Sequence, residues 1–231
     1  IAIPISTIVS FGPHPDSNFR HARREPARAA GLRRGTTDAV RAVVTRFGDY
    51  EVLTALESGG MGGVYLARHA ATGDRVALKV LDPLFAREPD LVRRLYAELR
   101  VSARASHPGL VSIRAADKNS DDVPFLVMEY LEGQALAALA GELPLATQLA
   151  IGAQIASALA ALHQVGVVHC DVKPENVVVL DRGRWSGWPR IKVIDFGVAR
   201  AADDEIDDTL VAGTPMYMAP EQWRGRPVPA S

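Results

Sequence analysis

The sequence predicts an α+β protein of two lobes with a cleft between them. Three observations predict it. From Tyr50 to about Glu129, short apolar runs of strand period alternate with Gly- and Asp-containing turns, broken by one helical stretch. From 134 to 165 the chain is rich in Ala and Leu and reads as helix. Residue types suited to chemistry fall in both halves: a glycine-rich turn and a strand lysine in the first, two aspartate-bearing loops in the second. A strand-rich half followed by a helix-rich half segregates its elements rather than interleaving them in a parallel sheet.

Residues 1–47 read as a basic leader. They hold Pro4, Pro13, Pro15 and Pro26, the cluster Arg20, Arg23, Arg24, Arg28, Arg33 and Arg34, and little apolar periodicity before Val40. We expect them to be disordered, with a partner-binding tail as the sharper alternative. Tyr50–Leu56 reads as a strand leading into Gly59-Gly60-Met61-Gly62-Gly63, and Val64–Arg68 as its return. Thr72-Gly73-Asp74 turns the chain into the strand Arg75–Leu81. Residues 88–105 read as a helix with Leu91, Leu95, Leu99 and Val101 near one face, stopped by Ser106-His107-Pro108-Gly109. Strands follow at 110–115 and 124–130. Gly141 to Pro144 divides the next helical region into a short helix and a long one. Val177–Leu180 and Arg190–Ile194 form a hairpin around a loop with Trp185 and Trp188, and from 195 the chain reads as loop. The first lobe spans about 48–131 and the second about 132–231.

Composition excludes several function classes. The 231 residues carry a net charge of −1, so no overall field favours nucleic acid or an anionic membrane. No uninterrupted apolar run reaches the ~18 residues of a membrane span. The single cysteine, Cys170, excludes an internal disulfide and fits a reducing compartment, so a cytoplasmic location is expected. Only four of the 26 basic residues are lysines: Lys79, Lys118, Lys173 and Lys192. In so arginine-biased a chain, a lysine hints at a site that needs a compact ammonium.

The stretch His169-Cys170-Asp171-Val172-Lys173-Pro174-Glu175-Asn176 carries the most chemistry. An Asp can take a proton from an attacking hydroxyl, a Lys two residues on can reach a transferred phosphate, and an Asn five residues on can hold a metal ion. Asp195-Phe196-Gly197 supplies a second acid suited to Mg²⁺. The glycines at 59, 60, 62 and 63 let backbone N–H groups approach phosphate, although a bare hairpin turn would use them equally well. Lying between two strands, they suit a lid over a nucleotide rather than a loop that opens a helix. Strand alternation puts Ala77 and Lys79 on one side and Leu78 and Val80 on the other. An inward Lys79 needs an anion, from phosphate or Glu98; a strand-end lysine snorkelling to solvent is the lesser alternative, whereas Glu98 taken alone reads as a surface acid.

Taken jointly these motifs resemble a eukaryotic-type serine/threonine protein kinase domain of the kind found in bacteria. The resemblance runs from Tyr50 to Ser231 and rests on Gly-Gly-Met-Gly-x-Val-Tyr-Leu-Ala, Ser-His-Pro-x-x-Val, Val-Met-Glu-Tyr-x-Glu-Gly, Gly-Val-Val-His-x-Asp-x-Lys-Pro-Glu-Asn, Asp-Phe-Gly-x-Ala and Gly-Thr-Pro-x-Tyr-Met-Ala-Pro-Glu-Gln, in family order. It implies the two-lobed kinase fold, ATP and Mg²⁺ as cofactors, and a protein substrate with a Ser or Thr acceptor. It also implies roles: Lys79 on the α- and β-phosphates and paired with Glu98, Asp171 as base or hydroxyl-orienting group, Lys173 on the γ-phosphate, and Asn176 and Asp195 on the metal. Leu56, Gly59, Gly60, Gly62, Val64, Ala77 and Val178 would line the nucleotide site. Met128 would be the gatekeeper, with Glu129 and Leu131 in the adenine-binding hinge. Thr214 and Pro215 would receive the acceptor residue.

Four departures qualify that pattern. Glu57 stands where the first loop glycine belongs and brings negative charge toward an anionic ligand. Cys170 replaces an arginine, so phosphorylation of the loop holding Asp203, Asp204, Glu205, Asp207, Asp208 and Thr209 is expected to be dispensable. Ser102 takes a place usually filled by a large apolar side chain. Finally, the sequence stops soon after Ala219-Pro220-Glu221, where further helices are expected, so a catalytically impaired nucleotide- or partner-binding module is the alternative reading.

Overall fold

Every strand of the first half pairs antiparallel with its neighbours in one six-stranded sheet, which keeps chain order except that the sixth strand lies between the fourth and the fifth. The strands are β1 (Arg46–Phe47), β2 (Tyr50–Gly59), β3 (Gly62–His69), β4 (Arg75–Leu81), β5 (Ile113–Lys118) and β6 (Pro124–Glu129), with helix α1 (Pro89–Arg104) between β4 and β5. This is a computed structural model, and it describes residues 45–59, 61–139, 141, 143–180, 189–197, 199–201 and 213–224.

Period-2 alternation divides the apolar residues of this sheet between two clusters. Val76, Leu78 and Val80 join Ala67, Phe125 and Val127, over which Phe47, Tyr50 and Tyr65 pack. Ala77, Val64, Leu126 and Met128 face the other way, into the main core. Lys79 lies on that inner side, as alternation requires. Gly62 sits at φ +150°, and a Cβ there would lie 2.1 Å from the Val80 carbonyl oxygen. The close approach of β3 to β4 alone therefore demands glycine at 62, before any ligand is considered.

Helix α1 opens on a proline at its first position, where the missing N–H costs nothing. It buries Leu95, Glu98 and Val101, spaced three apart on one face. Ser102 contributes to anchoring rather than apolar packing. Its hydroxyl accepts the Ile113 N–H at 3.0 Å and reaches the Val111 carbonyl at 3.5 Å, tying the helix to the entrance of β5.

The second half follows with β7 (Gly133–Ala135), α2 (Leu145–Gln164), β8 (Val167–Val168), β9 (Val177–Leu180), β10 (Ile191–Val193), β11 (Arg200–Ala201) and α3 (Pro220–Trp223). β7, β9 and β10 make one small sheet, and β8 pairs with β11. Helix α2 packs on β8 and β10, burying Ile151, Ala158 and Leu162. Its 20 residues are long and apolar enough to cross a membrane, which a search for unbroken apolar runs misses because Thr, Gln and Ser interrupt it. Its inward residues instead belong to the main core.

The structure corrects four expectations. Arg46 and Phe47, assigned to the leader, form an edge strand on β2. The strand expected at 110–115 begins at Ile113, while Leu110 makes only a lone parallel bridge to Val193. The short helix expected after 134 is β7 and a 3₁₀ turn at Leu136–Leu139, because the backbone of β9 takes β7 as its partner. The region after 195 is not all loop: it contributes β11 and α3. Residues 1–44, the loop with Trp185 and Trp188, Gly60 and the acidic run with Thr209 lie outside the described residues.

Candidate active site

Three elements meet at Lys79, two of them consecutive in sequence and the third 116 residues on. Strand β4 supplies the lysine, α1 supplies Glu98, and the loop after β10 supplies Asp195. The Lys79 ammonium is hydrogen-bonded to Glu98 Oε1 and lies 3.0 Å from Asp195 Oδ1. Burial pulls the ammonium down, but Asp195 and Glu98 outweigh it and hold Lys79 above its ordinary value. Burial pushes the Glu98 carboxyl up to about 7, against the pull of Lys79 and with a further push from Asp195. Two carboxylates share one cation here, and Glu98 is the more enclosed of the two.

A second constellation surrounds Asp171. Its Oδ1 accepts the Thr214 N–H at 2.8 Å, and its Oδ2 accepts Lys173 Nζ at 2.9 Å and Asn176 Nδ2 at 3.1 Å. Lys173 also donates to Thr214 Oγ1 at 2.7 Å. Burial alone would raise Asp171, but bonds from Lys173 and Thr214 outweigh it and keep the carboxyl below its ordinary value. Beneath lies His169, whose Nδ1 accepts the Asp171 N–H at 3.3 Å. Its proton must then sit on Nε2, which donates to the Ile194 carbonyl at 3.2 Å. Burial lowers His169 and keeps it neutral in this role. The ring packs edge-on against Phe196, so the two aspartate loops share one support.

Asn176 carries the clearest sign of a missing partner. Its Nδ2 is committed to Asp171, while its buried Oδ1 has no hydrogen-bond partner. An unpaired buried amide oxygen is, like a carboxylate oxygen of Asp195, a hard donor of the kind Mg²⁺ takes. Among the described residues there is no group of three His, Cys, Asp or Glu that could hold a metal.

Several residues expected around a nucleotide base lie in the main core. Val64, Ala77, Met128, Leu131 and Val178 belong to one core cluster drawn from both lobes, with Leu56 packed against it. Gly59 and Gly62 end and begin the strands of the glycine hairpin, with Glu57 opposite Val64.

Lys192 is a residue that sequence reasoning left without a role. From β10 its ammonium donates to Glu129 Oε1 at 2.6 Å and to the Leu110 carbonyl at 2.9 Å. Glu129 Oε1 also accepts the Ser112 N–H at 2.7 Å. Lys192 thus fastens the connection between the lobes to the strand that leads into Asp195. Its place among four surviving lysines was the available signal. Lys192→Met should lower stability by about 1–2 kcal/mol, the loss of a charge-assisted bond. Thermal melting of the variant checks this, and an unchanged midpoint would mean that the pair contributes nothing.

The protein kinase domain family matches residues 50–230. The chain belongs to the protein kinase family. Kinase Pkn1 of Myxococcus xanthus, named a serine/threonine-protein kinase, is 41% identical over 195 residues, covering 80% of this chain and 27% of that protein. Serine/threonine-protein kinase PknA of Mycobacterium tuberculosis is 36% identical over 191 residues, covering 79% of this chain and 43% of the relative. The chain thus spans less than half the length of these curated relatives. Among solved structures, the PknI kinase domain of M. tuberculosis superposes with a TM-score of 0.60 at 31% identity, covering 82% of this chain and 71% of that one. The two-lobed kinase fold expected from the sequence is the fold observed.

Proposed function

We propose that this kinase domain transfers the γ-phosphate of ATP to serine or threonine hydroxyls of a protein substrate. The observation that carries the proposal is the dual constellation: Lys79 with Glu98 and Asp195 on one side, and Asp171 with Lys173, Asn176 and Thr214 on the other. Mg²⁺, held by Asp195 and Asn176, would neutralise charge on the transferring phosphoryl group. Lys79 would bind the α- and β-phosphates with its compact charge, and Glu98 would keep it aimed. Lys173 stands beside Asp171, placed to neutralise the γ-phosphate as the hydroxyl approaches.

The environment of Asp171 bears on its role. A carboxylate held ionised by three donors is a weak base. It suits orienting the hydroxyl and accepting its proton late, as a loose transition state requires. Thr214, bonded to both Asp171 and Lys173, ties the acceptor-side segment to the reacting centre. A protein substrate with a serine or threonine acceptor extends the same reading and agrees with the names of the relatives; use of ATP and a location in the cytoplasm are parts of the proposal. Incubation with γ-labelled ATP and Mg²⁺ tests it. Label should appear as phosphoserine or phosphothreonine and vanish when Mg²⁺ is chelated; label found only as free phosphate would contradict the proposal.

A further inference from the structure

The residue before Asp171 adopts a backbone conformation that its side chain does not favour. Cys170 has φ +62°, in the left-handed region that non-glycine residues visit rarely and hold only when their surroundings fix them. What meets its peptide from outside is Gln222 of α3. Gln222 Nε2 donates to the Cys170 carbonyl at 2.8 Å. The other end of the same amide is also engaged, since Gln222 Oε1 accepts the Ala219 N–H at 3.0 Å. Because Ala219 supplies a donor, the oxygen must face it, and the NH₂ must face Cys170.

A third strand of chain closes on this bond. Gly213, at φ +130°, lies so near that a Cβ would stand 2.9 Å from the Cys170 carbonyl oxygen and 3.3 Å from Gln222 Nε2. The next residue, Thr214, donates its N–H to Asp171 Oδ1. Catalytic loop, acceptor-side segment and α3 therefore converge on one carbonyl. The Gln222 link within this junction is between neutral groups, so it does not draw on a phosphate in the chain before 213.

We propose that Gln222 is a positioning residue for phosphoryl transfer: its amide, aimed by Ala219, holds the Cys170 peptide and so sets Asp171 in register with Thr214. The proposal rests on the kinase reading above. It acts through Asp171 and touches neither nucleotide nor metal, so it should affect turnover and not ATP binding.

Gln222→Glu separates donor from shape. The carboxylate can still accept the Ala219 N–H but cannot donate to Cys170 while ionised. In the full-length protein, this variant should lose about tenfold in kcat at about pH 8, with KM for ATP within about twofold of the parent. Its activity relative to the parent should recover as pH falls toward about 5, where a protonated carboxyl can donate again. Gln222→Met, with no polar atoms, should lose turnover without that recovery. Hydrogen exchange at the Thr214 amide should rise in both variants near neutral pH. Parental kcat in Gln222→Glu, or a loss that is flat with pH and accompanied by a raised KM for ATP, would overturn the proposal. If the parent transfers no phosphate, the kinase reading fails by itself, and an unchanged Thr214 exchange rate would then overturn the positioning role separately.

Discussion

Asp171→Asn should reduce phosphate transfer by on the order of 10²-fold or more while leaving the domain folded. The substitution is close to isosteric, and an amide at 171 could still accept the Thr214 N–H now received by Oδ1. What it loses is the negative charge and the capacity to take a proton. Its NH₂ would also face Lys173 Nζ and Asn176 Nδ2, both donors, in place of the Oδ2 they now share. Lys173 would then turn toward Thr214 Oγ1, its other partner at 2.7 Å. Initial rates on an added protein substrate check the effect, and equal rates in parent and variant would remove Asp171 from the chemistry.

Lys79→Met should weaken both nucleotide binding and folding. Removing the cation leaves Glu98 and Asp195 facing each other in a buried setting, a change that costs about 3 kcal/mol or more when one partner of an enclosed pair is deleted. The pH dependence follows from Glu98. Its folded value, already raised to about 7 by burial, loses the lowering contribution of Lys79 in the variant and moves higher. An acid whose folded value lies above its unfolded one keeps its proton in the fold while the unfolded chain gives it up. Stability is therefore lost as pH rises from the ordinary carboxylate range toward and past 7. The melting temperature of Lys79→Met should approach the parent's at about pH 5 and fall behind it at about pH 8. A deficit that is equal at both, or larger at the acid end, would show that Glu98 is not the acid left unpaired.

The parts of the fold that could be read from sequence are those whose cause is local. β2, β3 and β4 show strand alternation between turn residues, and that alternation placed Lys79 on the inner side. The stretch from His169 to Asn176 stood out because of the spacing of Asp171, Lys173 and Asn176, and the structure brings these three side chains together. The misread parts are decided at a distance. Leu136 to Leu139 sit in an Ala- and Leu-rich run whose propensity favours helix, but the free edge of β9 recruits Gly133–Ala135 as a strand. A two-residue strand such as β11 has no periodicity to detect. Glu98 reads as a surface acid until Lys79 is brought to it across the sheet. Ser102, Lys192 and Gln222 all bind main-chain groups, and no pattern of side chains announces which carbonyl or N–H they will meet.

A single-turnover experiment tests the central claim most directly. Protein in excess over ATP, with Mg²⁺ and an acceptor protein, is quenched over time, and ADP and protein phosphoester are counted together. The account predicts one serine or threonine phosphoester for each ADP formed, with both signals lost in Asp171→Asn. ADP formed without phosphoester, or neither product under conditions where ATP is bound, would contradict it.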